Sequence, residues 1–273
     1  MVSPGTSTAH LNGRMVAYTT VGSGAPIIFV HGSFATCSAW RRLVARLDTS
    51  ACNAIALDLP GWGESDSSPE ECTSLVEYEA AAVEAVAAQS NAQSIHLVAH
   101  SHGGPVALAV ALAGRIEIRT LTLFEPLPIF LLGKDEDAHV KLSRFVVEYE
   151  RAFDEGDHMA ARAVVDLWGG AGSFEAMSAN ARDAIAAGTA QNIRQWKGNF
   201  AFRPSPDMLR ELHVPTMLVH GERANGIAKL FVQRLRDLLP ESNVADIVGA
   251  SHFLIHTHAE ECAQIVARSA NHA

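Results

Sequence analysis

Cysteine is scarce in this chain and shows no organisation: Cys37, Cys52, Cys72 and Cys262 are the four among 273 residues. None belongs to a C-x-x-C pair, so neither a disulfide framework nor a zinc ligand set is expected, and the four read as reduced packing residues. Long apolar runs are missing too; none approaches the roughly 18 residues that a membrane span requires. The opening MVSPGTSTAH has neither the basic nor the apolar region of a secretory leader, which leads us to expect a cytoplasmic protein with no membrane partner. Basic residues are in the minority, 21 Lys and Arg against 30 Asp and Glu, and the formal charge of -9 is spread along the chain. That balance favours solubility and disfavours nucleic acid or an anionic surface as partner. Repeats and low-complexity linkers are lacking as well. What is there is 48% hydrophobic content, ample for one large α/β domain or a domain carrying an insertion.

The most informative stretch is SIHLVAHSHGGPVALAVAL, residues 94 to 112. Ile95 to Val98 read as a buried strand, Gly103-Gly104 open a helix of small residues, and Pro105 suits a first helical turn whose N–H groups lack intrahelical partners. Between them, Ala99-His100-Ser101-His102-Gly103 match the nucleophile elbow G-x-S-x-G with Ala in place of the first Gly. Small residues are needed there for a steric reason. Strand and helix approach closely around a serine in strained backbone geometry.

Along the chain, strand-like and helix-like runs alternate. Strands are expected at Met15 to Val21, Pro26 to Val30 and Asn53 to Leu57, with a helix from about Ala39 to Leu47 and another in SLVEYEAAAVEAVAAQ. After the elbow comes the strand IRTLTLFEP. Residues 127–208 then carry helical, charged patterns with Gly breaks, and a buried strand returns only at VPTMLVHG. An amphipathic helix, AKLFVQRLRDLL, a strand, SNVADIVG, and a helix, EECAQIVARSA, follow. The alternation predicts an α/β fold, a mostly parallel sheet flanked by helices, with core segments 1–126 and 209–273 and an inserted helical cap over 127–208.

Four ordered motifs make the chain similar to the α/β-hydrolase superfamily over essentially its whole length, a resemblance that implies the α/β-hydrolase fold with a mostly parallel eight-stranded sheet. The motifs are His31-Gly32-Ser33-Phe34, DLPGWGESD (Asp58 to Asp66), the elbow, and GASHF around His252. The resemblance implies that Ser101 is a nucleophile and that His252, just after the last strand, is its base. It also implies an oxyanion hole made by the backbone N–H groups of Ser33, His102 and Phe34, with His31 as a loop brace beside the pocket. Nearby His256 and His258 are expected at the surface or in packing. A serine at the elbow argues against the dehalogenase and epoxide hydrolase relatives, which use Asp there.

The acid departs from the family's usual pattern. Where most relatives carry G-x-x-D after the seventh strand, this chain reads Gly221-Glu222-Arg223-Ala224. Glu125, ending the preceding strand in LFEP, is favoured as the acid because some relatives place theirs at that strand end; Glu222 is the alternative, and Asn225 could orient the histidine instead. WGGAGSFEAMSANARDAI and the FEP context are also similar to lactonases that hydrolyse the macrolide zearalenone. These readings imply a serine hydrolase, with no cofactor and no metal, acting on an uncharged, medium-sized ester or lactone. Leu127, Ile129, Trp168, Phe174 and Trp196 are expected to line its pocket. A C–C bond hydrolase, a cofactor-free perhydrolase and a non-catalytic receptor on the same scaffold are the alternatives. A homodimer remains open.

Overall fold

The computed structural model describes residues 5–271; residues 1–4, part of the opening stretch read above for a leader, and residues 272–273 lie outside the described residues. One sheet holds β1 (Thr6–Leu11), β2 (Arg14–Gly22), β3 (Ala25–Val30), β4 (Cys52–Leu57), β5 (Ser94–His100), β6 (Glu117–Phe124), β7 (Thr216–Gly221) and β8 (Ser242–Ile247). Their order is β1-β2-β4-β3-β5-β6-β7-β8. β2 runs antiparallel to both β1 and β4, and every pair from β4 to β8 is parallel. β1 has no counterpart in the sequence reading. Only Ala9 of TSTAHL is buried, so this edge strand carries no apolar alternation.

Crossover helices cover both faces, as a parallel sheet requires. α2 (Leu75–Gln89), α3 (Gly103–Ala113) and α9 (Gly226–Leu238) pack on one side; α1 (Arg41–Val44), α10 (Leu254–Thr257) and α11 (Ala259–Asn271) pack on the other. Within β5 the two-residue period is visible directly. Ile95, Leu97 and Ala99 enter the first core while Val98 enters the second. The helix expected at Ala39 to Leu47 is shorter, a 3-10 turn at Cys37–Trp40 and then α1. Arg46 and Leu47 donate to the carbonyls of Leu43 and Val44, three residues back, which tightens the chain out of α geometry.

Between β6 and β7 lie α4 (Asp137–Asp154), α5 (Arg162–Gly169), α6 (Ala179–Ala187), α7 (Thr189–Ala201) and α8 (Pro206–Arg210). α4 turns Leu142, Val146 and Tyr149 into a third core shared with α5 and α7, which sits over the carboxyl ends of the strands together with Ala224, Ala228 and Phe231. Phe202 and Leu209 instead join the core beneath the sheet. Among the described residues no helix is long and apolar enough to cross a membrane.

Candidate active site

β5 ends at His100, and the chain turns so sharply into α3 that Ser101 adopts φ 55°. Its N–H donates to the Phe124 carbonyl at 3.0 Å and its carbonyl accepts from the N–H groups of Gly104 and Leu127. The bend leaves no space around it. A Cβ on Gly32 would come within 2.8 Å of the Ser101 Cβ, and one on Gly104 within 2.4 Å of the Pro126 Cβ.

Glu125 follows β6 directly, with φ 42°. This unusual geometry for a glutamate turns its fully buried carboxylate toward β7, where one oxygen accepts from the Gly221 N–H at 2.9 Å. The other oxygen meets His252 Nδ1 at 2.7 Å, and His252 Nε2 lies 3.0 Å from Ser101 Oγ. Roles follow from the chemistry. A carboxylate only accepts, so Nδ1 carries the ring proton and Nε2 is left to accept from the serine hydroxyl. Phe34, Ser101 and Glu125 are three of the five described non-glycine residues with positive φ, and all three stand at this site.

The other carboxylate, Glu222, lies away from the ring. It accepts from the Gly249 N–H at 2.8 Å, bracing the turn before His252. Asn225 caps α9, its Oδ1 accepting from the N–H groups of Ile227 and Ala228, and its Nδ2 donates to the Leu167 carbonyl.

His252 is sandwiched. Trp168 of α5 stacks on one side with ring centroids 5.5 Å apart, and His100 lies 4.9 Å away. His100 Nε2–H donates to the His252 carbonyl at 2.9 Å, while burial first, and repulsion from His252 second, hold the His100 imidazole well below its ordinary pKa. His31 is also held neutral by burial. Its Nδ1–H donates to the Gly32 carbonyl at 2.7 Å and its Nε2 accepts from the Leu59 N–H, which fixes the loop after β3. No protein acceptor among the described residues takes a hydrogen bond from the main-chain N–H of Ser33, Phe34 or His102.

A cavity of about 840 Å³ opens over Ser101. Leu127, Trp168 and Trp196 line it, as do Ser33, Phe34 and His102. His31, Ile129 and Phe174, expected there, do not. His31 braces the loop behind it, and Ile129 and Phe174, at 0% and 2% exposure, are consumed in the packing of the helices above the sheet. Residues the sequence reading passed over, among them Val164, Ile185, Asn192, Gln195, Asn199 and Phe253, complete the walls, and His256, exposed at the surface as expected, also lines the cavity. A signal for α7 was available. In TAQNIRQWKGNFA, Asn192, Gln195, Trp196 and Asn199 fall at i, i+3, i+4 and i+7, amides on the helix's buried face.

A model of the alpha/beta hydrolase family matches residues 27–265. Over its length the chain is 28% identical to a Synechocystis sp. protein named provisionally as a non-heme chloroperoxidase, covering 90% of this chain and 91% of that one. It superposes on a thermophilic esterase from Thermogutta terrifontis with TM-score 0.78 at 22% identity, covering 99% of this chain and 98% of the other. Superposition on an N-acyl homoserine lactone degrading enzyme gives TM-score 0.76 at 19% identity, with 96% and 99% covered.

Proposed function

The chain belongs to the alpha/beta hydrolase family, and from that premise we propose that it is a serine hydrolase of uncharged, medium-sized carboxylic esters or lactones, with Ser101 as nucleophile, His252 as base and Glu125 as acid. The observation that carries this reading is the unbroken relay from Ser101 Oγ to His252 Nε2, at 3.0 Å, and from His252 Nδ1 to Glu125, at 2.7 Å.

Each step uses a group already in position. His252 takes the hydroxyl proton as Ser101 Oγ attacks the carbonyl carbon, and Glu125, which accepts from Nδ1–H, stabilises the imidazolium that results. The Trp168 face stacked on the ring favours the same cation. The developing alkoxide is held by the N–H groups of Ser33 and His102, with Phe34 beside them, each donor contributing about 3 kcal/mol. The alcohol leaves with the proton from His252, and water, deprotonated by the same ring, cleaves the acyl enzyme. The helices over 127–208 act as the cap. Their apolar walls with a few amides suit an uncharged substrate, and about 840 Å³ lies within the range for drug-sized ligands.

Turnover of p-nitrophenyl esters of short and medium acids, with labelling of Ser101 by a fluorophosphonate, tests the reading. Wild type is expected to react in both assays and Ser101→Ala in neither. A folded wild type that turns over no ester or lactone and takes no label would make the chain a receptor on a hydrolase scaffold.

A further inference from the structure

One buried polar chain beside the relay has no part in the chemistry assigned so far. Glu79, on α2, is completely buried. One of its carboxylate oxygens accepts from His102 Nε2–H at 2.6 Å, and the other accepts from Gln195 Nε2–H at 3.0 Å. Gln195 Oε1 accepts in turn from the Ser33 hydroxyl at 2.7 Å. Gln195 and His102 are 1% and 3% exposed, so three of the four members are sealed from water. With an acceptor-only partner at one end and a hydroxyl at the other, the Gln195 amide has a single satisfactory orientation.

The ends of this chain are not arbitrary. His102 and Ser33 are the residues whose main-chain N–H groups hold the oxyanion in the reading above, and they come from different loops, one after β5 and one after β3. Hydrogen bonds join each loop to Glu79, one directly and one through a side chain delivered by α7. A carboxylate withdrawn from water is expensive unless fully bonded, and a fully bonded one rigidifies what it touches.

We propose that Glu79 and Gln195 are positioning residues that fix the two oxyanion donors relative to each other, and that Gln195 makes completion of the hole depend on how α7 is seated over the cavity. The same helix therefore shapes the substrate wall and sets the electrophilic contact. The inference rests on the hydrolase reading, and its test separates the two.

Gln195→Leu and Glu79→Gln are compared with wild type on p-nitrophenyl acetate, whose acyl group is too short to lean on α7. Phenylboronic acid, which forms a tetrahedral adduct at a serine Oγ, is titrated alongside. The expected result is a fall in kcat of about tenfold to a hundredfold, short of the loss from deleting a whole donor, with KM within about twofold. Boronate affinity should fall by the same factor as kcat, since both report the tetrahedral state. Binding of planar acetate should not change. Should Gln195→Leu fail to fold, Ser33→Ala breaks the chain at its half-buried end and is expected to lower boronate affinity by about tenfold. In a folded pair, adding Ser33→Ala to Gln195→Leu should cost nothing more. Variants that lose Tm but keep kcat and boronate affinity would reduce the network to glue between α2 and α7 and overturn the inference while leaving the hydrolase intact. A wild type inert to both ester and boronate would remove the ground for both.

Discussion

The floor and the roof of the cavity are built on opposite principles. The floor consists of strand ends, where Ser101, Glu125 and His252 each sit within a residue or a short turn of sheet structure that fixes them, two of them at positive φ. The roof consists of helices that contribute one or two side chains per turn, and none of its described non-glycine residues has positive φ. Of the two, only the floor carries such strain, where the proposed nucleophile and acid point against the grain of the backbone. The roof takes its shape from packing, as in the stack of Trp196 on Trp168, 6.2 Å apart, and of Trp168 on His252, and from side-chain hydrogen bonds such as that of Asn199 to the Leu127 carbonyl. A change to the floor should strike kcat and a change to the apolar packing of the roof should strike KM and stability, the Gln195 bridge to the oxyanion loops being the one place where the roof reaches kcat.

The sharpest break of that contrast lies within the floor. Glu125→Gln keeps the bond from Gly221 but turns an acceptor on the ring proton into a group that can present an amide N–H, and a loss in kcat of about 10³-fold or more is expected. Glu222→Gln touches only the turn at Gly249 and should stay within about threefold. Steady-state kinetics on one ester decides between them. Equal, mild losses from both would mean that the relay does not need the carboxylate at the end of β6.

Those two glutamates also mark how far the sequence could be read. The elbow, His252 and seven of the eight strands were legible because each is a local pattern: a small-x-Ser-x-small turn, a histidine after the last apolar run, apolar strings separated by helical ones. Glu125 was legible only through resemblance, because some relatives place their acid at that strand end. That resemblance favoured it over Glu222, while direction is set by a φ of 42° that no residue pattern encodes for glutamate. Glu79 was invisible. Among the alanines and glutamates of SLVEYEAAAVEAVAAQ it reads as one more solvated charge, and only the register of α2 against α3 turns it inward to His102. Leu127, Trp168 and Trp196 line the cavity as expected, but Ile129 and Phe174 were misplaced there for a related reason. Large apolar side chains in a helical insert are shared between its own core and its inner surface, and composition does not say which takes Phe174 and which takes Ile185.

The next test moves to the roof. Phe174 is 2% exposed within the core of the upper helices and does not line the cavity. Phe174→Ala should cost about 3 kcal/mol of stability, as a lower Tm in thermal unfolding, and raise KM for long-chain esters. The kcat for p-nitrophenyl acetate should hardly move, because nothing on the floor is disturbed. A collapse of kcat comparable with that of Glu125→Gln would show that the roof holds the relay together, and the division drawn here would fail.

The smallest expected effect separates floor from roof by acid. His31, His96 and His100 are buried at 0%, 3% and 6% exposure, and burial is the leading cause that lowers each below its ordinary value of 6.5. All three lie in or beside β3 and β5. A histidine kept neutral in the folded state binds fewer protons than in the unfolded chain once pH drops below about 6.5, so unfolding takes up protons and stability falls with falling pH. The contribution is complete above that value and lost progressively beneath it, by up to about 1.4 kcal/mol per pH unit for each ring. Tm should therefore be level from pH 8 to 7 and decline from about pH 6.5 downward. His100→Asn should reduce the slope by about one proton, provided the Asn amide restores the bond to the His252 carbonyl. A decline that begins only near pH 4.5 would assign acid sensitivity to the carboxylates instead, and the buried imidazoles at β3 and β5 would have no share in it.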